Sequence, residues 1–247
     1  MAMIIKNVSS GLAVSRKVHA KRYDMDGQCQ PVDQMIVSEH CMSLYINDAL
    51  YAEMVCSAKD LSELVVGHVY SQGLVSDASE IEAVFVGGDG RVAQVYTRDR
   101  KLNRREGISR LPAHDWKPEW VFSMVGMLEG DTPLYERTNA AHCCMLAYDG
   151  KVVYKCEDVG RHNAMDKVIG CAVADGLELS RCSIYCSGRV PLDMLEKTVR
   201  SGIPVLISHS APTDASVELA KRCGATLICS ARQDYMIVYN DGMEDRR

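Results

Sequence analysis

No apolar run in this chain approaches the ~18 residues that a helix needs to cross a bilayer. The opening stretch, MAMIIKNVSSGLAVSRK, offers two isoleucines and then polar residues, so the long apolar segment of a secretory signal is missing as well. These two absences predict a cytoplasmic protein with no membrane association. Positive charge is scarce: 28 Lys and Arg stand against 33 Asp and Glu, a net charge of −5, and nothing points to general nucleic-acid or acidic-lipid affinity. Internal repeats and low-complexity blocks are absent. Neither phosphate-binding loop, Gly-x-x-x-x-Gly-Lys-Ser/Thr or Gly-x-Gly-x-x-Gly, occurs, and no Gly-x-Ser-x-Gly elbow supports a hydrolase. Cys-x-x-Cys is missing too, although the chain carries eleven cysteines. Their odd number and scattered positions, several inside apolar stretches such as CSIYC and TLICS, fit reduced, buried thiols in a reducing compartment.

What is present is enough for a full core: 247 residues, 47% of them hydrophobic, sufficient for one large domain or two small ones. The first half reads as strands and hairpins with one helix. MSLYIND and LYAEMVCS flank a turn at Asp48-Ala49. SAKDLSELVVGHVYSQG then opens with Ser57-x-x-Asp60, a capping-box pattern, and its apolar residues keep helical spacing until Gly73. IEAVFV, GGDG and RVAQVYT form a second hairpin, and a charged loop from residue 98 passes into a helix at Pro118. A boundary near 131 divides this strand-rich region (1–131) from an α/β, ligand-binding region (132–247).

In the second region strands alternate with helices. KVVYKC, SIYC, PVLISH, TLICS and MIVYN read as strands, with helices after residue 160, after Pro191 and within PTDASVELAKRCG. Such alternation predicts a substantially parallel sheet covered by helices. Strand-to-helix turns then share the carboxyl edge, where ligands bind in folds of this kind. Four turns should meet there: 157–163 (EDVGRHN), 187–189 (SGR), 208–214 (SHSAPTD) and 230–235 (SARQDY). Uncapped helix N-termini attract anions, and Arg161, Arg189 and Arg232 add guanidiniums suited to phosphate. Asp158, Arg161, His162, Ser187, Arg189 and Ser210 are therefore candidate ligand contacts. Spaced at four residues, Asp158, His162 and Asp166 equally fit ordinary pairs on a helix surface. In HSAPTD, a helix cap from Thr213 explains the residues better than a nucleophile does.

Metal binding finds little support. His142, Cys143 and Cys144 are consecutive, whereas zinc ligands are usually spaced so that both turn toward one ion. A zinc nucleobase deaminase needs His-x-Glu and Pro-Cys-x-x-Cys, and neither is present. No structural metal is expected.

EDVGRHNAMDKVIG, SGR, GIPVLISHSAPTDASVELAKRCGATLI and the late VYN resemble the FdhD/NarQ family, the formate dehydrogenase accessory sulfurtransferases. SEHCMSLYINDALYAEMVCSAKDLSELVVGHVYSQGLV is similar to that family's N-terminal half. The resemblance implies an α/β, cytidine deaminase-like fold, a mixed sheet layered between helices behind a strand- and hairpin-rich N-terminal part, in a homodimer. It implies sulfur transfer from a cysteine desulfurase to the molybdenum cofactor, bis(molybdopterin guanine dinucleotide), before insertion into a formate dehydrogenase catalytic subunit. It places nucleotide contacts on Ser230, Ala231, Arg232, Gln233, Asp234 and Tyr235.

The resemblance stops short at the sulfur-carrying loop. The family's Cys-Gly-x-Cys-Gly falls on RREGISRLPAHDW, which has no cysteine. Its Thr-Gly-Gly-x-His segment becomes TNAAHCCML, keeping Thr138 and His142 but adding Cys143 and Cys144. Two expectations follow. Either one of these thiols has become the sulfur carrier, with His142 as base, or the chain is a non-catalytic module that binds the guanylated cofactor without persulfide chemistry.

Overall fold

Two residues in the left-handed region, Asn47 (φ 49°) and Asp48 (φ 71°), reverse the chain between β4 (His40–Ile46) and β5 (Ala49–Cys56). Asn and Asp tolerate that conformation, so the turn sits one residue earlier than Asp48-Ala49. The computed structural model describes residues 3–100, 107–128 and 130–244. The charged loop expected from residue 98, and the cysteine-free RREGISRLPAHDW segment that begins at 104, fall partly on 101–106, outside the described residues.

Hairpin β4–β5 joins β1 (Ile4–Asn7), β6 (Ile81–Val86) and β7 (Val92–Thr97) in a five-stranded sheet of order β1-β6-β7-β4-β5. A separate ribbon pairs β2 (Ser15–Tyr23) with β3 (Cys29–Val37). Helix α1 (Leu61–Ser71) buries Leu64, Val65 and Val69 against the five-stranded sheet, and Gly73 (φ 68°) follows its end as expected. The capping box at its start is not formed. Asp60 makes no side-chain cap bond, and Ser57 is committed elsewhere: its N–H donates to Asp158 Oδ2 (2.9 Å) and its Oγ accepts from Val159 N–H (3.1 Å).

The second sheet has six strands in the order β13-β12-β11-β10-β8-β9. These are β8 (His142–Tyr148), β9 (Lys151–Asp158), β10 (Cys182–Cys186), β11 (Val205–Ser208), β12 (Thr226–Cys229) and β13 (Ile237–Asn240). Only β10–β11 and β11–β12 pair in parallel; β8 and β13 run antiparallel to their neighbours. The sheet is therefore mixed rather than substantially parallel. Because β8 is antiparallel to both β9 and β10, those two still point the same way, and the carboxyl ends of β9 to β12 share one edge. Helix α2 (Pro118–Leu128) covers one face through Val121, Met124 and Val125. On the opposite face lie α4 (Arg161–Ala174), α5 (Leu192–Arg200) and α6 (Asp214–Cys223), the last begun by Thr213 accepting from Ser216 N–H. A short α3 (Pro133–Thr138) precedes β8.

One apolar cluster runs from Met42, Leu44 and Val84 through α1 and α4 to Leu206 and Leu227. The seam is α1 against α4, and glycine makes it possible. A Cβ on Gly67 would lie 1.7 Å from the Asp166 carbonyl oxygen; one on Gly170 would lie 1.9 Å from that of Glu63. Only residues without a side chain allow backbones to approach this closely.

Candidate ligand cavity at the sheet edge

The four turns expected at the carboxyl edge do meet there: hydrogen bonds tie three of them together, and Arg161 of the fourth packs beside Gly188. Ser208 Oγ donates to the Gly188 carbonyl (2.7 Å), Ser230 N–H to the Ser210 carbonyl (2.8 Å) and Ala231 N–H to the Ser208 carbonyl (3.0 Å). Val190 and Pro212 form a parallel bridge between two of them. Because β8 runs the other way, its first residue, His142, arrives at the same edge.

Beside these turns opens a cavity of ≈ 690 Å³, within the range of small-molecule sites. His142, Cys143, Ser187 and His209 line its sheet side; Thr132, Tyr135, Glu136 and Asn139 of the α3 segment line the other. Sequence reasoning missed the α3 wall, although Thr132-Pro133 is a helix-start signal of the usual kind. His142 Nδ1 and Ser187 Oγ stand 3.5 Å apart, and the same Oγ accepts from Cys143 N–H (3.0 Å). Burial, followed by the Arg161 guanidinium, holds the His142 imidazole below its ordinary value, so it is neutral near pH 7 and able to accept a hydrogen bond. Arg161, the first residue of α4, has a buried Nε with no hydrogen-bond partner. Its side chain lies beside His142, next to the point where a Cβ on Gly188 would sit. Gly160, before it, supplies no side-chain cap to the helix.

The thiols are placed unfavourably for catalysis. Cys143 is a cavity-wall residue with 2% of its surface exposed, and desolvation pushes its thiol up to about 12. Cys144 faces the opposite side of the sheet, fully enclosed, its thiol raised well above the ordinary value by burial. Adjacent strand residues point to opposite faces, so His142, Cys143 and Cys144 form no common centre. Among the described residues no three His, Cys, Asp or Glu side chains converge as metal ligands.

Several candidate contacts have internal employment instead. Asp158 is fully buried and accepts from Ser57 N–H, Gly160 N–H (2.8 Å) and Asn163 Nδ2 (3.0 Å), with Lys167 Nζ at 2.7 Å. It does not face the cavity. Glu157 accepts from Leu134 N–H (3.0 Å) and Tyr135 N–H (2.9 Å), holding the first turn of α3. His162 Nε2 lies 2.9 Å from Asp193 Oδ2 and lines a different cavity, shared with α1 and α5. Asp166 accepts from Ser71 Oγ (2.7 Å) and from Lys197 Nζ, and lies 3.0 Å from His68 Nδ1. Thus EDVGRHNAMDK joins α1, α3, α4 and α5; none of its residues lines the cavity, and Arg161 approaches it from behind His142.

The C-terminal segment is arranged similarly. Arg232 donates from its guanidinium to the His209 and Ala231 carbonyls, and its N–H bonds the Tyr235 carbonyl (2.8 Å). Ala231 is buried, Ser230 is held at φ 50°, and Gln233, Asp234 and Tyr235 are exposed. Arg189 projects to solvent, and Ser210 N–H is engaged by Ser208 Oγ (2.9 Å).

Comparison with known proteins agrees with this architecture. The model of the FdhD/NarQ family matches residues 37–113 and 103–245. The sulfur carrier protein FdhD of Chromobacterium violaceum is 31% identical, over 87% of this chain and 92% of its own length. That of Thermoplasma volcanium is 37% identical over 71% of this chain and 75% of its own. A crystal structure assigned as a formate dehydrogenase accessory protein from Desulfotalea psychrophila superposes with a TM-score of 0.83 at 29% identity, covering 92% of this chain and 97% of that one.

Proposed function

Because the chain belongs to the FdhD/NarQ family, we propose that it serves formate dehydrogenase maturation by binding the guanylated molybdenum cofactor as cargo, with no sulfur lodged on Cys143 or Cys144. The observation that carries this reading is the ≈ 690 Å³ cavity itself, lined at the sheet edge by His142 and by Ser187 and His209 of two of the turns. Its volume suits one nucleotide-sized portion of a larger ligand. Neutral His142 and Ser187 supply acceptor and donor atoms for a heterocycle, and the positively charged Arg161 side chain lies beside His142, its buried Nε unpartnered. A thiol that must be deprotonated to attack a persulfide is poorly served by burial. That argues against Cys143 and Cys144 as carriers and for the binding role. On this reading the receiving partner is a formate dehydrogenase catalytic subunit, the protein acts as a homodimer, and a cysteine desulfurase loads no sulfur at these two positions.

Titration with guanosine diphosphate by calorimetry tests the cavity. Binding in the micromolar range is expected, and Arg161→Ala should weaken it about tenfold or more, the loss of one charge-assisted bond. Arg189→Ala, at a solvent-facing position, should leave affinity unchanged. Equal affinity in wild type and Arg161→Ala would remove the cavity from consideration. Incubation with a cysteine desulfurase and cysteine, followed by peptide mass analysis, should give no added sulfur on Cys143 or Cys144; a stoichiometric adduct there would overturn the second half of the reading.

A further inference from the structure

Side chains of the five-stranded sheet alternate between two faces; α1 covers one, and the other stays open among the described residues. Inward, Leu44, Ile46, Val84, Val86, Ala93 and Val95 are buried in the cluster shared with α1. A sheet face left to solvent ordinarily carries polar side chains. This outer face does not: Ile4, Leu50, Val55, Phe85 and Val92 stand on it with 37–56% of their surface exposed. Phe85 and Tyr96 pack edge to face there, ring centres 6.1 Å apart. A groove of ≈ 290 Å³ runs beside them, lined by Lys6, Phe85, Val92 and Gln94 among others. Contiguous apolar surface of this kind marks a protein contact.

Strand pairing arranges the face in level rows. Lys6, Phe85, Gln94, Tyr45 and Leu50 stand abreast across the five strands, and Val92, Ser43 and Glu53 belong to the next row. Because β7 is the middle strand, a two-fold axis along it lays β1 of one copy over β5 of another. That rotation returns the first row onto itself in reverse. Phe85 of one copy comes over Tyr45 of the other, and Gln94 and Val92 each meet their own equivalents. The Lys6 ammonium at one edge comes beside the Glu53 carboxylate at the opposite edge, one row along. An apolar middle with opposite charges at its two edges is complementary to its own image.

We propose that this open face is the contact between two copies of the chain, packed sheet on sheet about a two-fold axis along β7. The contact rests on the homodimer reading, which it deepens by assigning the surface, and is independent of what the cavity binds. Strands about 4.8 Å apart, with about 3.3 Å per residue, give a footprint of roughly 24 by 20 Å, at the small end for a specific interface. Association should therefore depend on concentration, with its midpoint in the micromolar range.

Sedimentation equilibrium of the full-length protein across that range should show a mass rising from 27.3 kDa toward twice that value. Phe85→Asp, which removes the central aromatic contact, and Val92→Asp, which sets two carboxylates against each other on the axis, should both hold the protein at the monomer mass. Lys6→Glu and Glu53→Lys should each weaken association about tenfold or more by placing like charges together, and the double exchange should restore it. Lys6 and Glu53 are exposed, so the charge exchange decides the matter if circular dichroism shows that an apolar-site variant does not fold. A dimer that survives all four single substitutions forms through another surface, which overturns the assignment and leaves the homodimer standing. A wild type that stays monomeric overturns both, and a double exchange that recovers nothing overturns the axis along β7.

Discussion

Replacing Gly170 by alanine sets two effects against each other. In an isolated helix the change should stabilise, by roughly 0.5–1 kcal/mol, because glycine loses the most backbone freedom on folding. In this structure the new methyl carbon would sit 1.9 Å from the Glu63 carbonyl oxygen, 2.7 Å from its carbon and 2.9 Å from Gly67 N, all backbone atoms that cannot rotate away. Regaining an ordinary contact near 3.5 Å requires α1 and α4 to part by roughly 1.5 Å. Overpacking of this kind costs about 1–3 kcal/mol, and here it also stretches the bonds from Asp166 to Ser71 and His68 across the same seam. The structure therefore predicts a net loss of about 2 kcal/mol or more for Gly170→Ala. Gly126→Ala in α2, where nothing lies within 4 Å of the added carbon, should be neutral or slightly stabilising. Urea unfolding followed by circular dichroism reads both as shifts in midpoint at constant slope. A Gly170→Ala midpoint equal to or above wild type would refute the close crossing.

Lys167→Met should cost about 3–5 kcal/mol, since it leaves the fully enclosed Asp158 charge without its cation, whereas Asp158→Asn with Lys167→Met should recover part of that loss. Denaturant titration of the three variants checks it, and a loss below about 1 kcal/mol in the single variant would count against the buried pair. Acid should weaken the Asp166 network. Burial alone would raise the Asp166 carboxyl, yet Lys197 and His68 override it and hold the group at about 2 against an ordinary 3.8. A depressed folded value means the contribution, about 2 kcal/mol, is complete above the unfolded value and lost as pH falls toward 2. Melting temperature between about pH 5 and pH 2 should fall more steeply for wild type than for Asp166→Asn; parallel slopes would exclude the assignment.

Much of the architecture was legible in the chain. Helical spacing of Met165, Val168, Ile169, Ala172 and Val173 identified the buried face of α4, and Gly73, Gly202 and Gly224 marked helix ends by their positive φ. Convergence of the four turns was also readable, because strand direction follows from alternation with helices. What the chain hid were the contacts made over long separations. Ser57 has the local signature of a cap, but Asp158, a hundred residues away, outcompetes the local partner. Asp158 and Lys167 look like surface charges until the packing of α1 on α4 closes over them. The direction of β8 was equally hidden, since no local signal distinguishes a strand that inserts antiparallel between two others; yet that insertion brings His142 to the cavity.

The crowded stretch from Glu157 to Lys167 has a practical bearing on how variants of this protein are interpreted. None of its eleven positions lines the cavity, and changing Asp158, Asn163, Asp166 or Lys167 loosens the packing of α1, α4 and α5 before any visiting molecule is involved. A phenotype from those four therefore speaks about folding yield. Arg161 reads recognition more directly, because its side chain lies beside His142 of the cavity wall and its buried Nε has no hydrogen bond to lose.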